Sequence, residues 1–135
     1  MMMLPYPIST NRYWRNFGGR MVRSSEAVAY KEEVGFIAVS SGIKMIQGPV
    51  QVDLVLHPPA PNDWQKREKK NPLWGLDVRR IDLDNAQKVA LDALQGIAYE
   101  NDRQITSLSI RLGQPLGEGG LGVVVTRDTV WGVAA

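Results

Sequence analysis

Stretches of clear apolar periodicity alternate along this chain with stretches that have none. Residues 1–8 hold a short apolar segment interrupted by Pro5 and Pro7. Proline cannot donate to a ladder, so the segment fits an edge strand or one that ends early. Ala27, Tyr30, Val34, Ile37, Ala38 and Ser41 recur at three- and four-residue steps, which predicts an amphipathic helix over 25–41. Ser24 is its N-cap and Gly42 its stop. After a turn at Gly48-Pro49, Val50, Val52, Leu54 and Leu56 alternate with Gln51, Asp53, Val55 and His57, the period of a strand with one apolar face. Asn85 to Gln95 reads as a second helix burying Val89, Ala90, Ala93 and Leu94, with Gly96 as the stop. Ile105, Leu108, Ile110 and Leu112 mark another strand, and Val123-Val124-Val125 begin a last one. The order β-α-β-α-β-β predicts a single α+β domain over 1–135, a small mixed sheet with two helices packed on one side.

Three stretches lack periodicity. Ser9 to Arg20 is polar, aromatic and basic with a glycine pair, and reads as a loop. Its Arg12, Arg15 and Arg20 lie among Tyr13, Trp14 and Phe17, a combination that suits phosphates and bases; the aromatics equally suit anchors to the core. Residues 58–80 form a long irregular segment, expected to be a basic and mobile loop. Trp64 and Trp74 are interleaved there with Lys66, Arg67, Lys69 and Lys70, diluted by Asp63, Glu68 and Asp77. The run from Gly117 to Gly122 spells G-x-G-x-x-G, but it leads into a β-branched strand rather than a helix. It is therefore expected to be a hairpin loop with no nucleotide site. Residues 128–135 read as a tail.

Composition narrows the chemistry. The 135 residues include no cysteine and one histidine, His57, which excludes thiolate sites and a multi-histidine zinc centre. No apolar run approaches the ~18 residues of a membrane span, and the opening Met1-Met2-Met3-Leu4-Pro5 lacks the basic and apolar regions of a signal peptide. A cytoplasmic, intracellular location is the resulting expectation. Net charge is only +2, with a pI near 9.0, yet the basic residues are clustered. Arg79 and Arg80 end the second basic segment and lead straight into Asp82 and Asp84.

Carboxylates two apart in an extended segment point the same way, so Asp82 and Asp84 are placed to share one ligand. Two explanations stand beside each other: a divalent-metal site that cuts phosphodiesters, and an acidic helix N-terminus favoured by the dipole. Asp102 joins the pair if the strand after the second helix returns beside that helix's N-terminus. Oxygen-only ligands favour Mg²⁺, with Mn²⁺ as a substitute. Lys88, one turn beyond Asp84, is within reach of charge building on a phosphate, or else it pairs with Asp92 on the surface. A calcium loop beginning at Asp82 fails, because Ala86, Gln87 and Ala93 stand where a ligand, a glycine and a glutamate are required.

Asp82-Leu83-Asp84-Asn85, Lys88, Asp92-Ala93-Leu94 and an acidic turn with Asp102 and Gln104 resemble the RusA family of Holliday junction resolvases. Pro7-Ile8-Ser9-Thr10-Asn11-Arg12-Tyr13-Trp14 resembles that family's opening signature, and the resemblance spans most of residues 4–127. It implies a homodimer, often prophage-encoded, that uses Mg²⁺ to make paired nicks across a four-way DNA junction. It places the catalytic carboxylates on Asp82, Asp84 and Asp102 and the essential lysine on Lys88. Asn11, Arg12, Arg15, Arg20, Lys66, Arg67, Lys69, Lys70, Arg79 and Arg80 are then expected to hold the DNA. The segment from Ala60 to Asp77 and the tail after Arg127 are longer than the family pattern, and Asn101 replaces a frequent acid. The competing reading is a non-catalytic nucleic-acid-binding protein whose aspartates only cap a helix.

Overall fold

A computed structural model of the chain describes residues 1–131. The last part of the expected tail, 132–135, lies outside the described residues. A four-stranded sheet has the order β1-β6-β4-β5, built from β1 (Met2–Leu4), β4 (Val50–His57), β5 (Ile105–Leu112) and β6 (Gly120–Arg127). β4 and β5 run parallel while the other neighbours are antiparallel, so the sheet is mixed and the fold is α+β. Val50, Val52, Leu54 and Leu56 are buried on one face of β4, as their alternation requires. Leu121 and Val123 of β6 and Leu4 of β1 lie in register beside them.

That face is covered by α2 (Ser25–Ser40) and α4 (Leu83–Leu94). α2 starts where expected, with the Ser24 hydroxyl accepting a hydrogen bond from the Ala27 N–H at 3.1 Å. It buries Ala27, Tyr30, Val34 and Ala38, but Val28, Phe36 and Val39 are exposed, so it is less one-sided than its periodicity implied. α4 buries Ala86, Val89, Ala90, Ala93 and Leu94. Gly42 and Gly96 follow the two helices with φ of 79° and 85°, the left-handed conformation that closes a helix end.

Four local expectations need correction. Ser9 to Arg20 is not a loop: the segment forms the one-turn helix α1 (Thr10–Tyr13) and enters a separate two-stranded hairpin, β2 (Trp14–Phe17) with β3 (Arg20–Arg23). Too few residues alternate there for periodicity to register. Residues 58–80 contain α3 (Trp64–Lys70) and a 3-10 turn at Trp74–Asp77. α3 buries nothing, so it carries no apolar stripe by which to be recognised. The Gly117–Gly122 run is not a hairpin loop: Gly120 to Gly122 already belong to β6, and the 113–119 segment before it joins strands that are not neighbours, because β4 lies between β5 and β6. It crosses the end of β4 instead, with the Gly113 and Leu116 amides donating to the carbonyls of Leu56 and Pro58 at 2.8 and 2.9 Å. Finally, α4 begins at Leu83 rather than at Asn85.

Candidate active site

The earlier start of α4 changes how the two aspartates are presented. Asp82 is the N-cap, with extended backbone at φ −62° and ψ 146°, and Asp84 is already in the first helical turn. They therefore do not share a side by strand alternation. Both are exposed, and neither forms an ion pair among the described residues. Asp82 occupies the cap position, yet its carboxylate accepts no hydrogen bond from the helix amides. A hydrogen-bonding cap role is thus not performed.

The two sequence motifs meet here. The Ile81 N–H donates to the Tyr6 hydroxyl at 2.7 Å, and the Thr10 hydroxyl donates to Asn85 Oδ1 at 2.7 Å. These bonds tie the chain entering α4 to the N-terminal segment. A cleft of about 580 Å³ opens between them, with Arg12, Arg79, Arg80, Asp82 and Asn85 in its wall. Arg80 also donates to the Leu76 carbonyl, while Arg12 pairs with Glu26.

A second cleft, of about 260 Å³, lies along the other part of α4. Lys88 and Asp102 share its wall with Trp14, Asp92 and Gln95. Asp102 is fixed by the turn that carries it. Asn101 Oδ1 accepts from the Arg103 N–H at 2.9 Å, and Gln104 Oε1 accepts from the amides of Glu100 and Asn101 at 2.8 and 3.0 Å. The Gln104 side-chain amide donates to the carbonyls of Ile46 and Gly48, which secures the turn to the segment entering β4. Asp102 itself stays exposed.

The surface pair considered for Lys88 does not form among the described residues. Asp92 is instead the centre of a network that the sequence reading missed. Arg23 donates to both of its carboxylate oxygens at 2.7 Å, and the buried Tyr13 hydroxyl donates to it as well. Burial pushes the Asp92 carboxyl up, but the bonds from Arg23 and Tyr13 and the charges of Arg23 and Lys31 more than offset it, leaving it below the usual carboxylate range. Burial raises the Tyr13 phenol, and Asp92 raises it further. Lys31 donates to the carbonyls of Asp92 and Gln95 at 2.8 Å each, satisfying the C-terminal end of α4. Burial lowers its ammonium from the ordinary lysine value. The exposed Lys88 is left to face the second cleft.

The structure therefore puts Asp82 with Arg12, Arg79 and Arg80 in one cleft, and Lys88 with Asp102 in another. Asp84 lies on the α4 surface one turn before Lys88. No three carboxylate or histidine side chains among the described residues form a ready-made cage for a metal ion. Asn11 is exposed on α1. Arg15 and Arg20 lie on the hairpin, and Lys66, Arg67, Lys69 and Lys70 on α3, where Arg67 is tied to Asp63 at 2.9 Å. The tryptophans of the 58–80 segment stack on each other, their ring centres 6.4 Å apart.

Residues 5–126 match the family described as Endodeoxyribonuclease RusA. The chain is 32% identical over 119 residues to the crossover junction endodeoxyribonuclease RusA of Escherichia coli strain K12, covering 87% of this chain and 84% of that protein. It is equally similar to the protein of that name from Enterobacteria phage 82, and 30% identical over 118 residues to the one from Escherichia coli O139:H28. The match places the chain in an endodeoxyribonuclease family. The chain is a member of the RusA family.

Proposed function

We propose that this protein is a Mg²⁺-dependent endonuclease that resolves four-way DNA junctions by paired phosphodiester nicks. The observation that carries this reading is the state of the α4 head. Asp82 and Asp84 are exposed and unpaired, Asp82 does not act as a cap, and three arginines stand in the cleft beside it. A carboxylate kept as a hydrogen-bonding cap would engage the helix amides, which Asp82 does not.

The donor set suits Mg²⁺. Asp82, Asp84 and Asp102 offer hard oxygen ligands only, and Mg²⁺ is usually held by one or two carboxylates plus substrate phosphates and water. An open arrangement that DNA completes is compatible with that habit, whereas a closed three-carboxylate cage is not required. When bound, such an ion supplies Lewis acidity at the scissile phosphoryl oxygen and a more acidic attacking water. Asp82 and Asp84 would hold the ion at the head of α4, and Asp102, on its turn in the neighbouring cleft with Lys88, would be the third oxygen donor. Lys88, exposed in the cleft of Asp102, would offer its ammonium to the negative charge that grows on the phosphate in the transition state. Arg12, Arg79 and Arg80 grip the phosphates of the strand entering the cleft, and the cations of α3 extend that hold. Paired nicks need two such sites, which a C2 homodimer supplies.

The test is cleavage of a synthetic four-way junction by wild type and Asp82→Asn, with Mg²⁺ or Mn²⁺ and with neither. Metal-dependent nicks by wild type and their loss in the variant are expected. Equal cutting by both proteins, or no cutting by wild type with either metal, would overturn the reading in favour of a binding protein with an acidic helix end.

A further inference from the structure

The β2–β3 hairpin stands apart from the sheet and pairs only with itself. A lone two-stranded hairpin is marginal in water, so its root must be held by other elements. Here the root is bolted down: Tyr13 is buried, Arg23 grips Asp92 of α4, and the Arg23 guanidinium lies 5.6 Å from the Trp14 ring centre. The tip is narrow. Gly18 and Gly19 have φ of 59° and 82°, the two positive values of a tight hairpin turn, and the Gly19 N–H donates to Asn16 Oδ1 at 3.1 Å.

The tip of this blade carries apolar side chains among cations. Phe17 is 64% and Met21 66% exposed. The register pairs Phe17 with Arg20 and Asn16 with Met21, so the two apolar side chains lie on opposite faces of the tip. Arg15 and Arg20 share the face of Phe17, and the Arg15 guanidinium lies 5.4 Å from its ring centre. No acidic residue occurs between Ser9 and Ser25. Apolar side chains at the end of a cationic projection match the way phenylalanine and methionine enter between DNA base steps while flanking cations hold phosphates. The blade is also well placed. Trp14 lines the cleft of Lys88 and Asp102, and three residues at ~3.3 Å each put Phe17 about 10 Å further out, or about three nucleotides along a strand.

We propose that the hairpin tip is a wedge that enters the open centre of branched DNA, with Phe17 stacking on the exposed base pair at the branch point and Arg15 and Arg20 holding the adjoining phosphates. Entry into a continuous duplex requires unstacking, at a few kcal/mol per step; at a branch the end pairs are already exposed. The hairpin is thus the element that separates branched from linear DNA. This inference rests on the nuclease reading and deepens it.

The experiment uses a four-way junction carrying 2-aminopurine beside the branch point, with wild type, Phe17→Ala and Phe17→Trp. Binding is read by fluorescence in EDTA and cutting is read separately in Mg²⁺. Wild type should change the emission as the Phe17 ring covers the branch-point base, and Phe17→Ala should not. Phe17→Ala should also cut the junction about 10- to 100-fold more slowly, as loss of one base–aromatic stack implies, with Phe17→Trp within a few-fold of wild type. Its melting temperature should be unchanged because the ring packs on no core residue. If wild type cuts and Phe17→Ala matches it in rate and emission, the wedge is overturned while the nuclease reading stands. If wild type fails to cut with Mg²⁺ or Mn²⁺, the nuclease reading falls, and the emission difference alone decides whether the tip enters the branch.

Discussion

Replacing Asp92 with asparagine should lower stability by about 2 kcal/mol. Breaking a fully buried ion pair costs roughly 3–5 kcal/mol, and losing an exposed one about 0.2–1 kcal/mol. The Asp92 side chain is 17% exposed but that of Arg23 is 40% exposed, so solvent screening places the pair between these limits. The double hydrogen bond at 2.7 Å and the Tyr13 hydroxyl argue for the upper part of the interval. Asparagine keeps one oxygen for Tyr13 but removes the charge and half of the fork. With an unfolding entropy of about 2.1 cal/mol/K per residue over 135 residues, 2 kcal/mol corresponds to a fall of about 7 °C in Tm. Urea denaturation of wild type, Asp92→Asn, Arg23→Met and the double variant gives the coupling directly, and it should be near 1.5 kcal/mol. The sign with pH follows from the depressed carboxyl. Its contribution is fully present above the unfolded carboxylate value, about 4, and is lost as pH falls through the lower folded value. The gap between wild type and Asp92→Asn should therefore close in acid. A coupling below about 0.5 kcal/mol, or a gap unchanged between pH 7 and pH 2, refutes the reasoning.

Other perturbations follow from the same contacts. Lys31→Met should cost about 1.5 kcal/mol by denaturant titration, because the α4 carbonyls of Asp92 and Gln95 lose a charged donor; Lys31→Arg should recover part of it. Gln104→Ala should lower junction cutting more than junction binding, since the turn that holds Asp102 loses its hydrogen bonds to Glu100, Asn101, Ile46 and Gly48. A binding loss as large as the cutting loss would contradict that role. Joint replacement of Lys66, Lys69 and Lys70 by glutamine should flatten the salt dependence of DNA binding by up to about three phosphate contacts, while Arg67→Gln alone changes it less because Asp63 already engages that side chain.

The parts legible in the sequence are those where burial imposes a period. β4 from Val50 to His57 coincides with its alternating run, and α2 with its three- and four-residue steps, whereas β5 from Ile105 to Leu112 was found from four apolar residues although none of them is fully buried. The hairpin and α3 escaped because neither buries a stripe of its own. The hairpin root is held in part by Tyr13 and Arg23 on Asp92, contacts between residues 79 and 69 apart in sequence. No local pattern reports such a pairing. Position in the chain did identify Asp82, Asp84 and Lys88 as a group at one helix head. It could not reveal that Asp82 leaves the helix amides alone, nor that Asn101 and Gln104 build the support under Asp102. Spacing along one helix left a Lys88–Asp92 pair open as the alternative, because it says nothing about a competing arginine from another element.

The central claim is that Asp82, Asp84 and Asp102 together hold the divalent ion that DNA completes. Its most direct test is the anomalous scattering of Mn²⁺ in crystals of the protein bound to a four-way junction. A peak within about 2.0–2.3 Å of oxygens from these aspartates and of a junction phosphate is expected, with loss of that peak in Asp82→Asn. A complex in which Mn²⁺ sits on other residues, or one that cleaves the junction with no metal at the head of α4, contradicts the account.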